Sequence, residues 1–183
     1  MHAPSVVPDI LTFAKGVNGA FVPLGGVGVR QHIADHFQNH GVSYGSTYNS
    51  HPVALASAYA VIQYMLKHGV VEHAAAMEEH LVKGLDELTE KHPSVKQGRG
   101  IGLFGAFDLQ KNTRGDYTQK VHEPFSPAMT AFKKATVEAG LFTMMRGHTV
   151  FTNPPLIITP DEIAEGFDIL DRCLPIMDEA MED

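Results

Sequence analysis

The sequence has no tryptophan and a single cysteine, Cys173. No disulfide can form within the chain, so it is not a small scaffold held by cross-links, and this usage fits a reducing cytoplasm. Cys173 sits in an apolar helical pattern and reads as a buried structural thiol rather than a nucleophile. Basic charge is also scarce. Fourteen Lys and Arg stand against 21 Asp and Glu, a net charge of -7. With no basic run, neither nucleic acid nor an anionic membrane surface is expected as the main partner. No stretch reaches the ~18 apolar residues of a membrane span. The opening "MHAPSVVPDI" lacks a basic segment followed by a long apolar one, so it does not read as a signal peptide. It reads as a loop running straight into a strand, as if another segment preceded it. Internal repeats and low-complexity tracts are missing too.

What is present is ample core material. Hydrophobic residues make up 44% of the 183 residues and charged residues 19%. That suits one domain, or a domain plus part of another. "DILTFAK" and "GGVGV" read as short buried strands or strand ends, with Gly16, Gly19 and Pro23 punctuating the loop between them. "RQHIADHFQNHG" reads as a short helix closed by Gly41. Pro52 opens a helix apolar on nearly every side up to Leu66, which predicts full burial. From Val70 the pattern turns amphipathic. Ala74, Met77, Leu81, Leu85 and Leu88 form one stripe on a single surface helix. The domain break is therefore placed near Gly69, giving 1–69 as α/β and 70–183 as α+β.

After Pro93, "VKQGRGIGLFGAFDLQ" predicts strands, and "KNTRGDYTQKVHEPFSP" a polar loop. "AMTAFKKATVEAG" predicts a helix, and "LFTMMRGHTVFTNPPL" two short strands around Gly147. In the last helix Thr159, Pro160 and Glu162 make a capping box, and Ile163, Phe167, Leu170, Leu174, Met177 and Met181 line one face. Pro175 should kink it.

Several groups could carry chemistry. Lys15 is the one charged residue between two apolar runs. It is either a strand-end lysine snorkelling to water or an amine in a low-dielectric pocket, where desolvation would make it a nucleophile. Ser43, Ser46, Thr47 and Asn49 precede the helix at Pro52, a placement that suits a phosphate or simply a capped loop. Arg146, between apolar runs, calls for a carboxylate, internal or on a substrate. His32, His36 and His40 have a spacing that can bind zinc, but no HExxH or carboxylate pattern supports them, and no metal is expected. Gly100, Gly102 and Gly105 fit G-x-G-x-x-G but run into a strand pattern, where a dinucleotide site needs a helix.

Taken in order, "PDILTFAKG", "PLGGVGV", "GSTYNSHPVALASA", "GRGIGLFGAFDL" and "NPPLIITPDEI" resemble the class III pyridoxal-phosphate aminotransferases of fold type I. The wording is closest to the amine– and taurine–pyruvate branch. The resemblance implies an α/β fold, here the C-terminal part of the large cofactor domain followed by the small α+β domain. It implies that Lys15 is the Schiff-base lysine and proton carrier. Thr47, with Ser46 beside it, matches the contact to the cofactor phosphate, made from the partner subunit of a homodimer with shared active sites. Arg146 matches the arginine that binds a substrate carboxylate, and Gly19 and Phe21 fall near the site entrance. The implied reaction moves an amino group from an amine or ω-amino acid, such as taurine, to a keto acid such as pyruvate.

Related decarboxylases, epimerases and aminomutases share the lysine, so they stand as alternatives. The family's upstream phosphate loop, stacking aromatic and ring-nitrogen aspartate have no counterpart in these residues. The chain is thus expected to be the C-terminal part of a longer enzyme, and a non-catalytic fragment is a further alternative.

Overall fold

A computed structural model describes residues 6–182. The chain divides into two compact units, Met1–Gly69 and Val70–Asp183.

In the first unit, strand β1 (Ile10–Ala14) pairs antiparallel with β2 (Gly25–Val29). Phe13 lies opposite Gly26, and its ring occupies the space where a Cβ at Gly26 would stand. A 3₁₀ turn (Lys15–Asn18) follows β1, and helix α1 (Gln31–Asn39) follows β2. Helix α2 (Pro52–Lys67) closes the unit. Two expectations fail here. The strands are not buried, since every residue of β1 is exposed. Nor is α2 buried all round: only Ala54 and Ala58 are, while Tyr59 and Leu66 are 68% and 73% exposed. The apolar composition of α2 is real, but this chain supplies little to cover it.

The second unit has its own core. Helix α3 (Val70–Ala76) and helix α4 (Glu78–Lys91) occupy the stretch expected as one helix. The division is slight. Met77 keeps its hydrogen bond to the His73 carbonyl, and its backbone only drifts to φ -77°, ψ -10°. Strands β3 (Val95–Ile101), β4 (Phe104–Leu109), β5 (Met145–Arg146) and β6 (Thr149–Thr152) form an antiparallel sheet in the order β3-β4-β6-β5. Helix α5 (Pro127–Glu138) starts at Ser126, whose hydroxyl accepts from the Met129 N–H. Helix α6 (Pro160–Cys173) begins with the full capping box of Thr159 and Glu162, and Pro175 opens a separate short helix, α7 (Pro175–Asp178).

Met77, Leu81, Leu85 and Leu88 all point into the core, as their spacing predicts. They meet Phe107, Leu109 and Val150 from the sheet, Met129 and Phe132 from α5, and Ile163, Leu170 and Leu174 from the last helices. Glycines make the approach possible. A Cβ at Gly100 would fall 2.8 Å from Leu81, and one at Gly105 only 2.6 Å from it. The G-x-G-x-x-G spacing therefore serves helix-on-sheet packing. Cys173 is buried as expected, and burial holds its thiol above the ordinary value.

A polar cluster fastens the end of α4 to α6 and α7. His92, 3% exposed, has Nδ1 2.7 Å from Asp178 and Nε2 3.0 Å from Asp171. Ser94 donates from its hydroxyl to Asp178 at 2.6 Å, and Lys91 from Nζ to Asp171 at 2.6 Å. The bonds from Lys91 and then His92 hold the Asp171 carboxyl below its ordinary value. No helix among the described residues is long and apolar enough to cross a membrane.

The tight seat at Gly105 makes a direct prediction. Gly105→Ala would force its methyl against Leu81 and the Thr152 hydroxyl, and overpacking of this kind costs roughly 1–3 kcal/mol. Urea denaturation of the second unit should show an earlier midpoint with an unchanged slope.

Candidate functional site

Lys15 sits where β1 gives way to the 3₁₀ turn. Its φ is +54°, a left-handed conformation that costs a residue with a Cβ roughly 1–2 kcal/mol. Gly16 beside it has open space around its α-carbon, with no atom within 4 Å of a Cβ placed there. Lys15 is exposed, as in the first of the two sequence readings, a strand-end lysine reaching water, and it is not enclosed in a low-dielectric pocket. Among the described residues its amine has no carboxylate partner and no hydrogen bond. Gly19 follows with φ +51°, and Phe21 is 78% exposed.

Ser46 and Thr47 lie in the loop before α2, and both are exposed. The Asn49 N–H bonds back to the Ser46 carbonyl at 2.9 Å, which turns the loop. Neither hydroxyl is engaged in a hydrogen bond among the described residues. Helix α2 starts at Pro52 with no side-chain cap. Unused hydroxyls and an uncapped helix start in one loop suit a phosphate. A free amine and free hydroxyls are the donor set that an aldehyde-bearing phosphate needs, so the residues present fit pyridoxal phosphate. No hydrogen bond joins Lys15 to Ser46 or Thr47.

Arg146 belongs to the second unit. It ends β5 opposite Thr149, across a turn made by Gly147 and His148. Gly147 has φ +60°, and a Cβ there would lie 2.7 Å from the Val121 α-carbon. The His148 ring stacks on Tyr117 at 3.8 Å, and its Nδ1 lies 2.9 Å from the Gln119 carbonyl. The turn is thus fastened on several sides. Arg146 itself is exposed, and among the described residues no carboxylate pairs with it. The described residues thus supply no internal partner of the kind considered from sequence.

Behind this hairpin lies a feature that sequence reading missed. Asp108 on β4 is 3% exposed. It accepts bonds from Arg99 at 2.5 Å, Gln97 at 2.9 Å and the Thr149 hydroxyl at 2.7 Å. Thr149 is the cross-strand neighbour of Arg146, so Asp108 steadies the strand facing the arginine. Burial alone pushes the Asp108 carboxyl up, but the bonds from Arg99, Gln97 and Thr149 outweigh it and hold the group below its ordinary value. The alternation of "GAFDL" puts Asp108 on the face opposite Phe107 and Leu109 and so reads as an outward acid, and neither its burial nor its partners was signalled by the sequence.

The histidines expected to be solvated are exposed at His32, His36 and His40. The His36 and His40 rings stack at 4.3 Å, and His32 lies 3.8 Å from Asp9. Among the described residues no three metal-ligating side chains converge.

Comparison with known proteins bears on these positions. The Aminotransferase class-III family matches residues 1–174. The chain is 33% identical over 171 residues to a putrescine–pyruvate aminotransferase of Pseudomonas aeruginosa, covering 91% of this chain and 36% of that protein. Its fold is similar to a taurine:2-oxoglutarate aminotransferase from Bifidobacterium kashiwanohense solved with PLP and glutamate. There the TM-score is 0.91 and the identity 37%, over 97% of this chain and 40% of the other. An S-selective transaminase from Bacillus megaterium gives a TM-score of 0.87 at 28% identity, over 96% and 39%. The chain therefore spans about two fifths of the length of these relatives.

A depressed carboxyl stabilises the fold only while ionised. For Asp108 that stability is complete above the unfolded-state value of about 3.8 and is lost as pH falls through the lower folded value. Thermal melts should show the second unit losing stability below about pH 4, and Asp108→Asn should flatten that part of the profile.

Proposed function

The chain belongs to the class III aminotransferases, and from that premise we propose that it carries the lysine, hydroxyl and arginine groups of a pyridoxal-phosphate-dependent amino-group transfer. The observation that carries this reading is the family match across residues 1–174, with Lys15 left as an unengaged amine at its strand end. When bound, the cofactor supplies an electron sink for the carbanion formed at the substrate carbon. Lys15 would hold it covalently through Nζ. Once the substrate amine has displaced it, Nζ would take the proton from the substrate carbon and deliver it to the carbon that had carried the cofactor's aldehyde. Thr47, with Ser46 beside it, would donate hydroxyl hydrogen bonds to the phosphate, reaching across to the partner copy's cofactor. Arg146 would pair bidentately with a substrate carboxylate, the geometry for which a guanidinium is suited.

The donor class we favour is a primary amine or ω-amino acid, and the acceptor a keto acid such as pyruvate. Support comes from the named relatives, one acting on putrescine and pyruvate, the other on taurine and 2-oxoglutarate. Their acceptors differ but share the carboxylate that an unpaired Arg146 would take.

The test is amino transfer by the purified chain with pyridoxal phosphate, pyruvate, and taurine or putrescine. Alanine should appear one-for-one with donor consumed, whereas carbon dioxide release without alanine would overturn the transfer reading. Lys15→Ala should abolish both transfer and cofactor fixed by borohydride. Arg146→Ala should keep the fixed cofactor and raise the KM for pyruvate by about tenfold or more, the worth of a charged hydrogen-bonded contact.

The exposed apolar side chains of the first unit, among them Phe13, Tyr59 and Leu66, suit a second copy of the chain and shared sites. Sedimentation should give a dimer. A monomer at every loading concentration would count against it.

A further inference from the structure

We propose that Asn18 is the positioning residue for Lys15: its side-chain amide fastens the turn that carries Lys15 to helix α2 and so holds the lysine in its left-handed conformation. The proposal rests on the reading of Lys15 as the cofactor lysine.

Three observations converge. First, Lys15 has φ +54°, which a residue with a Cβ leaves unless its surroundings hold it. Beyond the internal bonds of the 3₁₀ turn itself, the Gly19 N–H reaches the Gly16 carbonyl at 3.2 Å, and the Phe21 N–H the Asn18 carbonyl at 2.9 Å. Neither of them involves Lys15.

Second, Asn18 is the one buried residue of the turn, at 1% exposure. Its Nδ2 donates to the Val22 carbonyl at 2.6 Å and reaches toward the Ala54 carbonyl on α2 at 3.4 Å. Both neighbours are acceptors only, so the orientation of the amide is fixed by chemistry: the NH₂ must face them. One side chain thereby ties the turn both to the loop after it and to α2.

Third, the other half of the amide is unsatisfied. Asn18 Oδ1 is buried and has no hydrogen-bond partner among the described residues. An orphaned buried acceptor is costly, and an apolar residue of similar size would fill the space without it. A polar residue here makes sense only through what its NH₂ secures.

If the amide is lost, the turn has no polar hold on α2, and Lys15 can relax to negative φ. Its Cα–Cβ bond would then point elsewhere, and Nζ with it.

Two readouts test this on the full chain. In the absence of cofactor, the sign of φ at Lys15 is read by NMR from the intraresidue amide-to-α-proton NOE. In its presence, pyridoxal phosphate is fixed by borohydride and mapped by mass spectrometry. In that step the amine condenses with the aldehyde, losing water, and borohydride supplies the hydride that makes the bond permanent. The variants are Asn18→Ala and Asn18→Asp, the second isosteric but without the donors.

With α2 still helical, both should lose positive φ at Lys15, and the share of adduct on Lys15 should fall by roughly fivefold, the worth of a typical hydrogen bond. Retained positive φ in both variants overturns the proposal. So does lost φ with an unchanged Lys15 adduct, and so does melting of α2 in both, which would make Asn18 a fold residue. Failure of the functional reading looks different: unsubstituted chain would place no preferential adduct on Lys15, while the φ comparison still decides the role of Asn18.

Discussion

The second unit depends on how closely helix α4 can lie on the β3–β4 hairpin. Leu81 and Leu85 occupy the volume that side chains at Gly98, Gly100 and Gly105 would need. Removing those side chains from the strands lets two leucines reach the sheet, and the core then closes around Phe107 and Phe132. The same device recurs at Gly84, where the Phe167 ring of α6 takes the place of a Cβ on α4. Interiors packed at crystal-like density leave no slack for a methyl at such points. The sheet is thus held by α4, and the β5–β6 hairpin with Arg146 is paired to that sheet through β4.

The first unit follows a different logic. Its strands and its longest helix are apolar, yet most of their side chains are exposed. What order it has around Lys15 comes from local features: the β1–β2 pairing, the turn Lys15–Asn18, and a few contacts of that turn with α2. An apolar surface of this extent is of the kind that a second protein surface can cover.

The sequence was most legible where structure is set by neighbours along the chain. The Thr159–Glu162 capping box, the stripe from Met77 to Leu88, the break at Pro175 and the turn at Gly147 all follow from local spacing, and all are present. It was least legible where distant residues meet. His92 finds Asp171 and Asp178, 79 and 86 positions away, and no periodicity announces that. Asp108 likewise draws Thr149 from 41 positions on. Burial of α2 was misjudged for a related reason. Hydropathy records what a helix would bury, not what the chain has available to cover it. At the candidate site, Lys15 and Arg146 were visible as charges among apolar residues. Asn18, a short polar residue two places after Gly16 and next to Gly19, carried no signal of its own.

The two candidate groups share a design that their sequence contexts hide. Arg146 is exposed, but its backbone is bound on both sides, by Thr149 held to Asp108 and by Gly147 pressed on Val121. Lys15 is exposed, but its turn is pinned by a buried amide. In each case the reactive or binding end is free while the stem is fixed. A long, flexible side chain loses rotamer entropy when it engages a ligand, and that cost is smaller when only its outer bonds remain to be ordered. Fixing the stem and freeing the head would suit the role proposed for Lys15, a lysine that leaves and regains a covalent partner, and equally the role proposed for Arg146, an arginine that accepts and releases a carboxylate. Charges kept only for solubility would need neither anchor.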